Sequence, residues 1–483
     1  MEESLLLPEK MAEAKPLLED TDAARVGISW QTLFPEIKRL GYLAGPMVVV
    51  NVIQFLLSII SLTMAGHLGI LSLSSTAIAS SIANVSGFSV IIGLSSALDT
   101  LCGQAYGAQQ YRKVGVLTYT AIFCLILACI PIAILWVYMG NILVFLGQDP
   151  TISAKAGMYT LHLVPALLAY AFLHPLQRFL QIQSLIFPML LFSSLSLCFH
   201  ASLCWILIFK VGYGAIGAAI ATCISIWFNV ALLGIYIMSS SACAKTRVPI
   251  SAELFHETKL FFRFAIPSTV MICLEWWSFE LLILFSGLLP NPELETSVLS
   301  VCLTTLSTLY ALPYGLGNAA SVRVSNELGA GNFTAARTSV FAVMFLATIE
   351  AIVVATALFF CRHVYGYVFS EDREVVDYAA TITPLVSLSV TLDSLQGVLS
   401  GVARGCGWQH IGAFINLGAF YLCGIPAAVI LAFVLHLRGY GLWIGILSGS
   451  FTQTTLLLIV TCRVNWRKQA VLARERIFHA DDS

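Results

Sequence analysis

Long apolar runs separated by short polar ones dominate this chain. No Asp, Glu, Lys or Arg occurs from Leu40 to Leu98, Val114 to Gln148, Phe179 to Phe209, Val211 to Ala244, Thr296 to Val322, Gly405 to Leu437 or Gly439 to Cys462. These runs are apolar on all sides rather than alternating. At ~1.5 Å per helical residue they are long enough to cross a hydrocarbon layer of ~30 Å. The pattern predicts helices near 41–65, 71–101, 114–139, 152–173, 179–209, 214–238, 258–287, 296–322, 334–361, 374–403, 411–437 and 440–462. Twelve spans of this kind define an all-α integral membrane protein and exclude the weaker alternation of a membrane barrel.

Basic residues give the orientation. Of the 25 Lys and Arg, 20 fall in segments on the side shared by the two termini; only Lys155, Lys210, Arg362, Arg373 and Arg438 fall on the other. That bias places both termini in the cytoplasm. The same orientation leaves the Asn332-Phe333-Thr334 sequon on the cytoplasmic side and unused. The longest polar connection follows the sixth span and divides the chain: an N-terminal tail 1–39, a first lobe 40–238, a linker 239–257, a second lobe 258–462 and a C-terminal tail 463–483.

The two lobes repeat one another. GLSSALDTLCGQAYGAQQY from Gly93 answers GLGNAASVRVSNELGAGNF from Gly315 at a spacing of 222, and Pro46 and Gly66 answer Pro267 and Gly287 at 221. Leu176-Gln177 answers Leu395-Gln396 at 219, and Gly212-Tyr213-Gly214 answers Gly439-Tyr440-Gly441 at 227. A six-span unit inserts both copies in one orientation, giving two pseudo-symmetric six-helix lobes. Parallel repeats with a site at their interface are a transporter architecture.

Composition agrees: 58% of residues are hydrophobic and 11% charged, against about 25% charged in a soluble domain. Mean hydropathy is +0.87. A net charge of −1 offers nucleic acid nothing. The 13 cysteines lie mostly within apolar runs, without paired spacing or histidine companions, and read as buried hydrophobes rather than disulfide or metal ligands. No phosphate-binding loop is present, so an ion gradient must drive any transport, and no resident cofactor is expected. Scattered histidines (His162, His174, His200, His256) argue against an intramembrane enzyme.

Carboxyl groups inside the spans are the candidate chemistry. They are Glu275, Glu280, Glu350 and Asp393, with Asp99 near an inner end. A carboxylate at this depth costs at least ~2.5 kcal/mol on insertion scales and marks an ion or substrate pathway by default. No Lys or Arg is expected deep in a span to pair with them, so such a group should keep its proton until solvent or a cationic substrate arrives. Glu275 and Glu280 lie about 140° apart on one helix, so Glu280 is expected to tie its helix to a neighbour. Glu350 is expected to make an interhelical hydrogen bond, and Asp99 to brace the inner gate. Trp276, Trp277 and Tyr310 either pack in the interfacial belt or offer π faces to an organic cation. Pro46 and Pro267 are repeat-equivalent and suit hinges.

CGQAYGA (Cys102–Ala108), CLEWWSFE (Cys273–Glu280), RVSNELGAG (Arg323–Gly331), ARGCGWQ (Ala403–Gln409) and NLGAFYLCGIP (Asn416–Pro426), in this order, resemble the multidrug and toxin extrusion (MATE) family, closest to its plant detoxification branch. The resemblance covers roughly residues 30 to 465. It implies proton coupling at Glu275 and Asp393 and substrate contact at Asn51, Asn84, Trp276, Phe279 and Tyr310; Glu280 and Glu350 are the accessory acids by their depth in the spans alone. It implies a monomeric, proton-coupled antiporter of organic cations, xenobiotics or plant metabolites such as alkaloids and flavonoids. Bacterial relatives carry an Asp in the first span where this chain has Ser61, so a first-lobe acid site is not expected. The alternative within the fold superfamily is a flippase of lipid-linked precursors, which should have a more cationic cavity than buried acids provide. Two acidic dileucine patterns, Glu2 with Leu6-Leu7 and Glu13 with Leu17-Leu18, lean toward the vacuolar membrane over the plasma membrane. The basic tail (Arg463, Arg467, Lys468, Arg474, Arg476) reads as a membrane-flanking anchor.

Overall fold

The computed structural model describes residues 29–369 and 372–478. The dileucine patterns and Lys10, Lys15 and Arg25 lie outside the described residues. Among the described residues, twelve helices are long and apolar enough to cross a membrane. They are α1 Trp30–Gly66, α2 Ile70–Gly107, α3 Tyr111–Val137, α4 Pro150–Ile182, α5 Ile186–Lys210, α6 Ala215–Ser239, α7 Thr258–Ser286, α8 Pro292–Gly329, α9 Phe333–Phe360, α10 Arg373–Cys406, α11 Gln409–Val434 and α12 Arg438–Arg463. A thirteenth, α13, spans Trp466–Phe478. Large apolar side chains such as Phe145, Ile70 and Leu422 are 76–89% exposed, as a bilayer-facing surface requires.

Several boundaries differ from expectation, α2 and α8 running on to Gly107 and Gly329 and α5 starting at Ile186, and two of the differences matter most. Helix α1 begins at Trp30, where the Ser29 side chain accepts a hydrogen bond from the Gln31 amide and caps the helix, so ten residues of the expected N-terminal tail belong to the first span. Helix α4 continues through Pro175 to Ile182 instead of stopping near 173. Its neighbours supply the packing that a proline-interrupted turn lacks. As a result Arg178 sits inside a helix, and so do Arg323 in α8 and Arg404 in α10, each at most 6% exposed. The expectation that no Lys or Arg lies deep in a span to pair with the acids is corrected at Asp99, which Arg178 and Arg404 flank.

The duplication is written into the contacts between lobes. Leu40, Leu43, Ala44 and Met47 of α1 belong to a core built mainly from the second lobe. Phe261, Phe264 and Ala265 of α7 belong to the first-lobe core. Each lobe thus lends the terminal-side half of its first helix to the other. Gly93 seats the backbone of Thr269, and its repeat partner Gly315 seats Val48, the repeat partner of Thr269. Gly107 lies against the Asn326 carbonyl, and Gly329 against that of Gln104. Gly103 meets Ser325, 222 residues on, so these two positions flank the pseudo-twofold axis. Without side chains, Gly103, Gly107 and Gly329 let α2 and α8 cross at backbone distance.

All these contacts lie toward the side of the termini. The same side carries an ion cluster in which Arg323 donates to Glu36 at 2.8 Å and to Glu327 at 2.6 Å, and Ser339 donates to Glu36 at 2.7 Å. The linker lies down on the first lobe: Thr246 donates to Gln183 at 2.8 Å, Tyr119 to the Val248 carbonyl at 3.2 Å and Thr120 to the Leu254 carbonyl at 3.0 Å. The C-terminal tail forms α13, which bridges the lobes. Arg476 donates to Gln104 at 3.3 Å and to the Cys406 carbonyl at 3.1 Å. Lys113 donates to the Ile477 carbonyl at 3.1 Å, and Trp408 to Gln469 at 3.1 Å.

Candidate functional site

Five helices of the second lobe converge on Glu275. Its Oε2 accepts from Gln396 of α10 at 2.8 Å, Gln453 of α12 at 3.1 Å and Asn416 of α11 at 3.5 Å; its Oε1 accepts from Tyr310 of α8 at 3.3 Å. The amides hold one another in place. Gln453 also donates to Asn416 at 2.8 Å, Asn416 to the Met271 carbonyl at 2.7 Å, and Gln396 to Ser400 at 3.0 Å. Four neutral donors replace the water that burial removes, so an anion can sit here without a fixed ion-pair partner. Arg404 lines the same small cavity as Glu275, Trp276 and Tyr310, so a cation does reach this depth.

Tyr310 is a shared wall. It borders the Glu275 cavity and, together with Leu306, Pro313, Val390 and Ser394, a crevice that holds Asp393. It also borders a central cavity of about 200 Å³ between the lobes, lined by Asn51, Gln54, His174, Gln177, Arg178, Trp276, Tyr314 and Asn318 among others. Three of the expected substrate residues, Asn51, Trp276 and Tyr310, therefore meet at one cavity.

The other two do not. Phe279 packs its ring against Phe420, with centroids 6.1 Å apart, in the second-lobe core. Asn84 is exposed at the start of a π-helical segment, Asn84–Phe88, and is absent from the cavity lining. Within that segment the Val85 carbonyl accepts from Trp277 Nε1 at 3.0 Å and from the Ser89 hydroxyl at 2.7 Å. Trp277 thereby ties α7 to α2. One turn on, Ser81 donates to Glu280 at 3.2 Å across the same pair of helices. Glu350 of α9 faces Ser394 of α10, the kind of interhelical partner expected of it, although its buried carboxyl oxygens fall short of hydrogen-bond geometry. Pro46 and Pro267 lie inside α1 and α7.

The floor of the central cavity was not foreseen. Asp99 lies between two arginines, ion-paired with Arg178 Nε at 3.2 Å and accepting from Arg404 Nε at 3.1 Å. Asn318 Oδ1 accepts from both guanidinium groups, at 3.1 and 3.4 Å. Thr100 donates to the Arg404 carbonyl and Gln104 to that of Gly405 at 3.2 Å. Arg178 and Asp99 come from one lobe, Arg404 and Asn318 from the other, so this network bolts the lobes together. It also corrects the expectation that the buried charges are acids alone. The donors around Glu275 were missed for a related reason. A Gln or Asn within an apolar run carries no spacing signature, although Asn416 and Gln453 stand out as strong amides inside charge-free stretches.

A twelve-helix, twofold-duplicated bundle with a polar cavity at its lobe interface defines a membrane transporter. The chain belongs to the MatE family, whose profile matches residues 46–206 and 267–430, one match in each lobe. It is 57% identical over 442 residues to Protein DETOXIFICATION 12 of Arabidopsis thaliana, covering 92% of each chain. It is 56% identical to Protein DETOXIFICATION 14 of the same plant, covering 92% of this chain and 91% of that one. Its fold superposes on the eukaryotic MATE transporter AtDTX14 with a TM-score of 0.90 and 55% identity, over 92% of this chain and 100% of that one. The Vibrio cholerae MATE transporter VcmN shares the fold at 16% identity with a TM-score of 0.79, over 93% of this chain and 100% of that one. This is therefore a multi-pass membrane transporter of the multidrug and toxin efflux family.

Proposed function

We propose that the protein is a monomeric, proton-coupled antiporter that exports organic cations or plant metabolites from the cytosol by alternating access. The observation that carries this reading is the Glu275 cage, in which a membrane-depth carboxyl held by neutral donors opens beside the aromatic pair Trp276 and Tyr310. An organic cation and a proton compete for such a carboxylate. With the proton bound, the negative charge that attracts the cation is gone. With the proton lost, the aromatic faces and the carboxylate act on the cation together.

Asp393, on the other side of Tyr310, is the second proton station in this scheme. Protonation at the acidic face releases the substrate, and deprotonation toward the cytosol restores capture. Both termini lie in the cytoplasm in this reading, and the protein resides in the vacuolar or plasma membrane. The test is reconstitution into liposomes with an imposed pH gradient. A fluorescent organic cation should accumulate in the acidic lumen and leave when the gradient is collapsed by an ionophore. Accumulation that follows a sodium gradient and ignores pH would replace the proton in this scheme.

A further inference from the structure

The duplication gives each acid of the second lobe a counterpart in the first. At the 221-residue spacing of Pro46 and Pro267, Glu275 answers Gln54; at the 219-residue spacing of Gln177 and Gln396, Asp393 answers His174. The paired contacts of Gly93 with Thr269 and of Gly315 with Val48 show that α1 and α7 keep this alignment in space. In the second lobe Gln396 Nε2 donates to the Glu275 carboxyl at 2.8 Å. In the first lobe the matching carboxyl is an amide, and Gln177 Nε2 is buried without any hydrogen bond. The Gln177 residue is 5% exposed.

Two further nitrogens on this wall share that condition. Asn51 Nδ2 is buried and makes no hydrogen bond, and neither does His174 Nε2, which donates in one imidazole tautomer and lies within reach of the Gln177 side chain. All three residues line the central cavity with Gln54. Arg178 beside them is already taken up by Asp99, Gln181 and Asn318. With Arg404 sharing the one carboxylate, the cavity floor keeps a formal excess of one positive charge. A buried donor without an acceptor carries a desolvation penalty that an incoming oxygen relieves.

We propose that Asn51, His174 and Gln177 form an acceptor-binding half-site on the first-lobe wall, which holds the ether, hydroxyl or carbonyl end of a substrate whose aromatic, cationic end lies against Trp276 and Tyr310. This deepens the proposed function and rests on the central cavity being the substrate site. The transported solute is then bipolar: electron-poor and flat at one end, with oxygen acceptors at the other. A cation without oxygens engages the second-lobe wall alone.

Two fluorescent quaternary aromatic cations separate the walls: berberine, which carries ether oxygens, and ethidium, which has none. Binding to the full-length protein in nanodiscs, without any gradient, is compared for wild type, Gln177→Met and Asn51→Leu. The berberine Kd should rise about threefold to tenfold in each variant, while the ethidium Kd stays within about twofold of wild type, below the usual worth of one hydrogen bond. Gln177→Glu, which turns a donor into an acceptor, should weaken berberine and tighten ethidium, and it serves where the methionine variant does not fold. Equal weakening of both probes, or an unchanged berberine Kd, overturns the half-site. Failure of wild type to bind either probe overturns the reading of the cavity as the substrate site. Loss of proton coupling would appear only in gradient-driven transport, not in this measurement.

Discussion

At the residue scale, Glu275 and Asp393 differ in what surrounds them. Glu275 has four side-chain donors from four other helices, whereas Asp393 sits in a largely apolar crevice with Leu306, Pro313 and Val390. Glu275→Gln and Asp393→Asn keep volume and remove titration. We expect each to fold, to bind substrate more weakly, and to lose the rise in uptake that wild type shows as the gradient steepens. Retained pH-dependent accumulation in both amide variants would move coupling elsewhere. Trp276→Ala and Tyr310→Ala should each weaken binding of an organic cation by roughly 0.5–2 kcal/mol with abundance near wild type. Reduced abundance with unchanged affinity would make both rings packing groups. The acids could be read from sequence because a carboxyl at membrane depth is costly. Gln396, Asn416 and Gln453 could not, because nothing in a linear chain says which polar side chains meet from four helices.

At the element scale, helix crossings depend on absent side chains. Gly107 and Gly329 each seat a carbonyl of the opposite helix, so an added methyl pushes α2 and α8 apart on the terminal side. Gly107→Ala and Gly329→Ala should cost about 1–3 kcal/mol in that packing and loosen the floor formed by Asp99, Arg178 and Arg404. A cysteine placed at Ser321, fully buried on α8, reports the change. Its labelling by an impermeant maleimide from the terminal side should accelerate in either variant, and equal labelling rates would show that the crossing does not govern closure. The repeats that place these glycines were visible in the sequence, since their spacing of 222 survives divergence. The ends of α4 were not, because Pro175 looks like a stop until its neighbours are known. That misplacement hid Arg178, and the expected end of α10 at 403, one residue short of Arg404, hid the other cation of the cavity floor.

At the scale of the whole molecule, the two lobes exchange the terminal-side halves of α1 and α7, so neither lobe is complete alone. Orientation is open to direct measurement. With both termini in the cytoplasm, a cysteine at the exposed Val368 should be labelled from outside intact cells or from the vacuolar lumen, and one at Asn332 only after the membrane is opened. The reverse result would invert the protein and with it the direction of transport.

Helix α13 carries a practical consequence. It is fastened to Gln104 and Lys113 of one lobe and to Cys406 and Trp408 of the other. Whatever is attached behind Phe478 is therefore attached to the seam of the molecule. A fluorescent protein fused there would report where the transporter resides and how much is made, while adding its own drag to every turnover. A tag in the loop around Val368, on the opposite face, leaves the seam untouched. Two such fusions that agree on location yet disagree on transport rate would make this short helix visible in living cells.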